Sequence, residues 1–481
     1  AGIVRVKTIG ELFDCAELMA KQPRPKGPRL GIITNAGGPG VMAADALAEY
    51  GAEPSRLEPG TIEQLNELLP PCWSHFNPID VLGDAPPERY AKAVEICLKA
   101  SELDGVLLIL TAQGMTNPTA VAERLALNFQ GKPYPIFASW MGAADVEKGR
   151  EILNCAGFPT YDTPEQAVRA FMNMYEYSRN LEMLQEIPPK LSKELHFDRH
   201  RAKALIKQGL RRKNGFLTEL ESKELLNTYG IPVNYTERAT SAEEAVRWAR
   251  RMAYPLVMKV QSPDIVHKTE ANGVRLDLRS EDEVYAAYSK IVKAARAYKP
   301  QAEIQGVTVE PMIQRPDYEL LLGIKRDTNF GPAILFGMGG IFAEVLKDQS
   351  IGLPPLNRSL ARRLMESTRV YSLLRGYRNK PRADLELLEE ILISLSQLVE
   401  DFPEIVELDM NPVLVHEGSI CTVDARVFVR PSNVPSPLHL VISPYPAQYE
   451  SKAVIKDGLR VFIRPIRPDD GPAFLDLFHT L

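Results

Sequence analysis

The chain of 481 residues has little of what would place it in a bilayer, outside a cell or on nucleic acid. Its longest apolar run, "GVLLIL" at 105–110, is far short of the ~20 residues a membrane helix needs. No charged-then-apolar leader opens it, so nothing points to secretion. The five cysteines (Cys15, Cys72, Cys97, Cys155, Cys421) are scattered, odd in number and form no CxxC pair. That usage fits reduced thiols in a cytoplasm better than a disulfide framework or a zinc site. A formal net charge of -5 gives no reason to expect nucleic acid or an anionic membrane as the main partner. What is present is ordinary for a globular protein: 45% hydrophobic and 25% charged residues. The length suggests about three domains of roughly 150 residues. The chain starts with alanine on what reads as the middle of a fold, and stops at Leu481 just after a new strand and helix begin. Both ends read as cuts in a longer polypeptide.

From Arg29 to about Tyr177, short apolar strands alternate with amphipathic helices. "RLGIIT" (29–34), "DGVLLILT" (104–111) and "YPIFASW" (134–140) have the near-continuous apolar character of parallel strands buried on both faces. Helical patterns lie at 87–100 and 117–129, and the alternation predicts a doubly wound α/β layer. Residues 188–214 are basic, proline-marked and poorly apolar; they read as a helical linker with a solvated face. From Thr218, "TELE" and "SAEE" match the capping-box pattern that starts helices. Strands are expected at 254–260, 273–278, 306–312, 318–325, 332–338, 404–410, 412–415 and 420–429, with helices at about 281–298 and 384–401. This second block is α+β with antiparallel hairpins. A proline-rich spacer at 430–446 precedes a last strand and helix start at 458–481.

Four groups of residues could carry chemistry. "TNAGGPGVMAADAL" (34–47) sets a glycine-rich turn between a buried strand and a helix. It is either a tight turn or an anion cradle, in which Asn35, Gly37, Gly38 and Gly40 let a phosphate or thioester approach the helix's free N–H groups. "HFNPIDVLGDA" (75–85), a second polar loop in the same block, favours the cradle, because such loops gather at the carboxyl edge of the strands. Lys259 ends the strand "PLVMKV" and Glu310 sits in "VTVEP". Charges on apolar strands must reach solvent or a charged ligand, since unpaired burial is costly. "FGMGGIFAEVLKD" (336–348) adds a glycine hairpin followed by Glu344. In "ELDMNPVLVHEGSICTVDARV" (407–427), strand alternation puts Glu407, Asp409 and Asn411 on one face, with Asp424 on a later strand folding back beside them. Oxygen ligands without a cysteine or histidine cluster suit magnesium held together with substrate phosphates.

Lys259, Glu310, Glu344 and the "LDMNP"…"VDA" pair resemble an ATP-grasp fold. More narrowly, "SPDIVHK" with "NAGGPG" and "NPIDVLGDA" is similar to the ADP-forming acyl-CoA synthetases of the acetate–CoA ligase type, relatives of succinyl-CoA synthetase. The resemblance covers residues 1 to about 430 in one order. It implies that 1–20 is the tail of the domain carrying the phosphorylated active-site histidine, with the CoA-binding domain ahead of residue 1. It implies a flavodoxin-like ligase domain at 25–180, the helical linker at 188–214 and an ATP-grasp pair at 215–430. By the same resemblance Asn411 and Asp424 bind magnesium with Asp409 in support, and Lys259 contacts nucleotide phosphate. Glu310 lies at the adenine-side hinge, Glu344 is an acid near phosphate transfer, and the glycine loop faces the phosphohistidine. Segment 445–481 resembles the start of a GNAT acetyltransferase domain, cut before its acetyl-CoA pyrophosphate loop.

His267, between the strands of "MKVQSPDIVHKTEANGV" (258–274), is then implied as a second, transient phosphate carrier. A neutral imidazole attacks phosphorus, and its phosphoramidate can pass the group on. The expected reaction is acid + ATP + CoA giving acyl-CoA + ADP + phosphate through acyl-phosphate and phosphohistidine. The expected partners are nucleotide, CoA, a small carboxylic acid and Mg2+, in the cytoplasm, and a homo-oligomer is compatible. The alternative is a nucleotide- or acyl-CoA-sensing regulatory part of a GNAT protein lysine acetyltransferase. A ligase acting on amines is a third reading, which leaves the first α/β block without a role.

Overall fold

In the computed structural model, the described residues are 3–185, 195–265, 267–340, 347–378, 380–446, 449–456, 458–467 and 470–480. The chain divides into two compact units, Ala1–Glu186 and Ile187–Leu481.

The first unit is built on β1 (Leu30–Thr34), β2 (Ile79–Asp80), β3 (Gly105–Thr111), β4 (Ile136–Met141) and β5 (Thr160–Tyr161). They pair in parallel in the order β2-β1-β3-β4-β5, the doubly wound flavodoxin-like topology. The apolar runs that marked β1, β3 and β4 serve two cores at once. Ile32, Leu107 and Phe137 face α1 (Ile9–Lys21), α2 (Gly37–Glu49) and α7 (Pro164–Gln185). Their neighbours Ile33, Leu108 and Ala138 face α3 (Pro59–Leu68), α4 (Pro87–Lys99), α5 (Pro118–Phe129) and α6 (Ala144–Cys155). Each fully buried Leu, Ile or Phe contributes about 1.5–3 kcal/mol relative to exposure, so both faces must stay covered.

In the second unit, α8 (Arg199–Arg211) falls inside the basic segment 188–214. Its Ala202, Leu205, Ile206 and Gly209 are buried in this unit's core, while its basic residues line the other face. Two antiparallel sheets follow. The first runs β6 (Glu237–Ala239), β9 (Gly306–Pro311), β7 (Leu256–Gln261), β8 (Val274–Leu278), backed by α10 (Ala242–Ala249) and α11 (Glu281–Tyr298). The second runs β12 (Gln349–Gly352), β11 (Gly331–Met338), β10 (Tyr318–Asp327), β13 (Ile405–His416), β14 (Ser419–Thr422), with β15 (Ala425–Val429) also on β13. Helices Arg358–Glu366 and Leu385–Asp401 bury their apolar faces against it.

Two local outcomes refine the sequence reading. "TELE" forms a full capping box at the start of α9 (Glu219–Asn227), with Thr218 and Glu221 bonding each other's backbone. "SAEE" forms half of one: Ser241 accepts from the Glu244 N–H, but the Glu244 carboxylate turns to Thr240 instead. The strand expected at 420–429 is two strands, broken at Val423–Asp424. Asp424 therefore lies in a gap between strands rather than on one. Toward the end of the chain, β16 (Ser451–Val454) and β17 (Arg460–Ile463) form a hairpin before the helix Gly471–Thr480. No described helix is long and apolar enough to cross a membrane.

Candidate functional site

A cavity of 670 Å³ lies in the second unit, lined among others by Glu219, Lys259, His267, Lys268, Asp409 and Asp424. Glu310 and Asn411 line it too. Every residue of β7 is buried, Lys259 included, so this lysine does not reach solvent. Its ammonium meets the Glu219 carboxylate at 2.9 Å, the Val423 carbonyl at 2.8 Å, and Glu310. Val423 lies in the break between β14 and β15.

Glu219, in the first turn of α9, is fully buried and grips three lysines. Lys223 one turn on lies at 2.8 Å, Lys259 at 2.9 Å and Lys268 at 2.9 Å. Burial by itself raises the Glu219 carboxyl, but Lys259, Lys268 and Lys223 together hold it well below the usual carboxylate range. Burial likewise opposes the charged forms of Lys259 and Lys268. Glu219, Glu310 and Asp424 outweigh it at Lys259, and Glu219 with Asp424 at Lys268, so both stay raised and protonated. Glu310 is only 2% exposed and takes Lys223 at 2.7 Å, Asn234 at 2.7 Å and Thr236 at 3.0 Å. Three ammonium groups thus face two sealed carboxylates, Glu219 and Glu310, and a third at the rim, Asp424.

On β13, Glu407, Asp409 and Asn411 alternate with buried Leu408 and Met410 and share one face, of which Asp409 and Asn411 line the cavity. Burial raises the Asp409 carboxyl; Arg426 opposes this, and Glu407 and Asp424 add to it. Arg426 pairs with Glu407 at 2.7 Å, and Asp424 accepts from Lys268 at 3.2 Å. Two carboxylates that repel each other, with an amide oxygen in the same cavity, form a donor set a hard dication would relieve. Among the described residues no three His, Cys, Asp or Glu cluster as an all-protein cage. Two carboxylates and an amide oxygen are hard oxygen donors of the kind magnesium takes, a cation that keeps water and phosphate oxygens in its shell. His267 is exposed at the cavity's edge, and Glu344 lies outside the described residues.

In the first unit, α2 begins at the glycine turn with no side-chain cap. The Asn35 side chain is committed to the end of β3, donating to the Thr111 carbonyl at 2.9 Å and accepting from its N–H at 2.8 Å. Pro39 has no N–H and Gly40 donates to the Ala36 carbonyl, which leaves Gly37 and Gly38 at the tip. A Cβ on Gly37 would stand 3.9 Å from the Asp80 carboxylate, so one acid already lies near this helix end.

Sequence reasoning missed Glu219 and Lys223. The available signal was the i, i+4 pair inside "TELESKELL", next to a strand lysine in need of a counter-charge.

The two sheets flanking a lysine- and carboxylate-lined cavity define an ATP-grasp domain. The family model described as ATP-grasp domain matches residues 208–429, and that described as Ligase-CoA domain matches 30–185. The chain is 36% identical over 429 residues to 4-hydroxybutyrate–CoA ligase [ADP-forming] of Nitrosopumilus maritimus, covering 89% of this chain and 61% of that protein. It is 39% identical over 213 residues to acetate–CoA ligase [ADP-forming] I subunit beta of Pyrococcus furiosus, covering 44% of this chain and 91% of that subunit. A solved chain of Ca. Korarchaeum cryptofilum dinucleotide forming acetyl-coenzyme A synthetase 1, in complex with coenzyme A, Ca-AMPCP and HgCl+, shows 37% identity. That match covers 48% of this chain and 99% of that one, with a TM-score of 0.45. The chain belongs to the ADP-forming acyl-CoA synthetase family, with a Ligase-CoA and an ATP-grasp domain. It spans about three fifths of the length of the longer relatives it matches.

Proposed function

We propose that the chain supplies the Ligase-CoA and ATP-grasp parts of an ADP-forming acyl-CoA synthetase, converting acid, ATP and CoA to acyl-CoA, ADP and phosphate. The observation that carries this is one cavity lined by Lys259, Lys268, His267, Asp409, Asn411 and Asp424. Lys268 binds the nucleotide phosphates, while Lys259, its three donors taken by Glu219, Glu310 and the Val423 carbonyl, adds its positive charge from the cavity wall. Asp409, Asn411 and Asp424 would hold magnesium. When bound, the metal neutralises the charge that develops on the transferred phosphoryl oxygens. The His267 imidazole attacks the γ-phosphorus; its N–P bond forms as the bond to ADP breaks. The phosphoryl group then passes to the family's phosphorylated active-site histidine and from it to the carboxylate of the acid. The CoA thiolate attacks the resulting acyl-phosphate and releases phosphate. The glycine turn of α2, through the Gly37 and Gly38 amides, faces the charged intermediate.

On the order hairpin then helix at 451–480, we also propose that this segment opens an acetyltransferase-type fold. The sensing alternative has no observation in its favour.

ATP radiolabelled at the γ-phosphate tests the proposal. Base-stable, acid-labile label on the protein, dependent on magnesium and absent from His267→Ala, is expected. Equal label on His267→Ala ends the carrier role.

A further inference from the structure

His267 is exposed, yet its neighbour Lys268 points inward and is nearly sealed. Among the described residues between Asp264 and Glu270, Ile265 packs into the core of the β7 sheet and Lys268 makes the charged contacts with the cavity wall, Glu219 at 2.9 Å and Asp424 at 3.2 Å. The turn itself is compact. The Ala271 N–H donates to the His267 carbonyl at 3.3 Å and the Gly273 N–H to the Lys268 carbonyl at 2.8 Å. A Cβ on Gly273 would stand 3.1 Å from that carbonyl and 2.5 Å from Val260, so the turn closes against β7 only with glycine there.

The two anions that hold Lys268 differ in kind. Asp424 is 38% exposed and, on the proposed function, also a magnesium donor with a second partner to serve. Glu219 has none, because its other oxygen is already fixed by Lys223 and Lys259. If Asp424 turns to a dication, three lysines remain against two carboxylates, and the uncompensated ammonium is the one that lost Asp424. An ammonium has three donors, so Lys268 can keep Glu219 and offer a freed N–H to a phosphate.

We propose that Glu219 is a positioning residue: by gripping Lys268 it fixes the turn that carries His267 and keeps one ammonium in the cavity when Asp424 takes a cation. The second half rests on the nucleotide reading, whereas the first does not.

Two measurements on the full chain separate the halves. Without nucleotide, hydrogen exchange at the Ala271, Asn272 and Gly273 amides is read in wild type, Lys268→Met, Lys268→Arg and Glu219→Gln. Loss of a charge-assisted tether predicts exchange faster by on the order of tenfold in Lys268→Met and near wild-type rates in Lys268→Arg. Unchanged exchange in Lys268→Met overturns the pin. Lys268→Met carries this test even if Glu219→Gln fails to fold, because it leaves Glu219 paired with Lys223 and Lys259. In the second measurement, calorimetry with Mg-ADP, Lys268→Met weakens binding by on the order of tenfold and Lys268→Arg restores it. Equal affinity in Lys268→Met overturns the second half. If wild type binds no Mg-ADP while exchange responds to Lys268→Met, the nucleotide reading falls and the pin stands.

Discussion

The Lys223 ammonium lies 2.7 Å from a carboxylate oxygen of Glu310, and both side chains are almost sealed from water. Without Lys223, Glu310 keeps Lys259 and Glu219 keeps Lys259 and Lys268, but the buried network is one cation short. Up to about 3–5 kcal/mol, the cost of a broken buried pair, is then at stake. Lys223→Met should therefore lower the denaturation midpoint of the second unit sharply. Lys223→Met combined with Glu310→Gln should recover part of the loss. Chemical denaturation of the single and double variants checks both statements.

The same cluster sets a pH range for stability. The Glu219 carboxyl titrates lower when folded than when unfolded. Its stabilisation is whole above the ordinary glutamate value of about 4.3 and is lost as pH falls through the folded value. Lys259 and Lys268 titrate higher when folded. Theirs is whole below the ordinary lysine value of about 10.4 and is lost as pH climbs through the folded values. Melting temperature measured against pH should show a plateau bounded by these two declines. In Lys268→Met the alkaline decline should shrink.

Asp409 carries the opposite tension. Burial keeps its carboxyl raised, and Glu407 and Asp424 push the same way against Arg426. Asp409→Asn should leave the melting temperature equal or higher. Asp424→Asn should abolish most of the gain in nucleotide affinity that magnesium provides. Calorimetry with ADP, with and without a chelator, measures the second effect; a tenfold or larger loss is expected by analogy with other metal-ligand changes.

The glycine turn can be split into structure and chemistry. A Cβ on Gly38 meets nothing within 4 Å, whereas one on Gly40 would stand 3.1 Å from Thr34 and 3.2 Å from Pro78. Gly38→Ala should fold at least as stably as wild type, since alanine favours helix by up to about 1 kcal/mol. Gly40→Ala should be less stable than Gly38→Ala, because its methyl crowds Thr34 and Pro78 and offsets the same helix gain. Thermal melts decide this. Any loss of turnover in Gly38→Ala is then a loss of anion access.

The parts legible in the sequence were those where one physical requirement governs many residues. β1, β3 and β4 stand out because both faces are apolar, and Leu385–Asp401 because its stripe repeats at helical spacing. β2 and β5 have two residues each, too few for any period to show, and exist because neighbouring strands offer free edges. The acids of β13 could be placed by alternation alone. The grip of Glu219 on Lys223, Lys259 and Lys268 could not, since it joins residues up to 49 apart through the packing of α9 against the sheets. "TELE" advertised a helix start, and it concealed a buried anion.

The interruption at Val423–Asp424 has a consequence for how this segment can vary. Strands β14 and β15 both lie on β13, and the gap between them holds two residues. Deleting one would reverse the parity of everything downstream, sending Val427 and Val429 out to water and bringing Phe428 and Arg430 inward. Chain length at this point is therefore constrained by the hydrophobic interior as strictly as side-chain identity is by the chemistry, and homologous swaps here should succeed only in even steps.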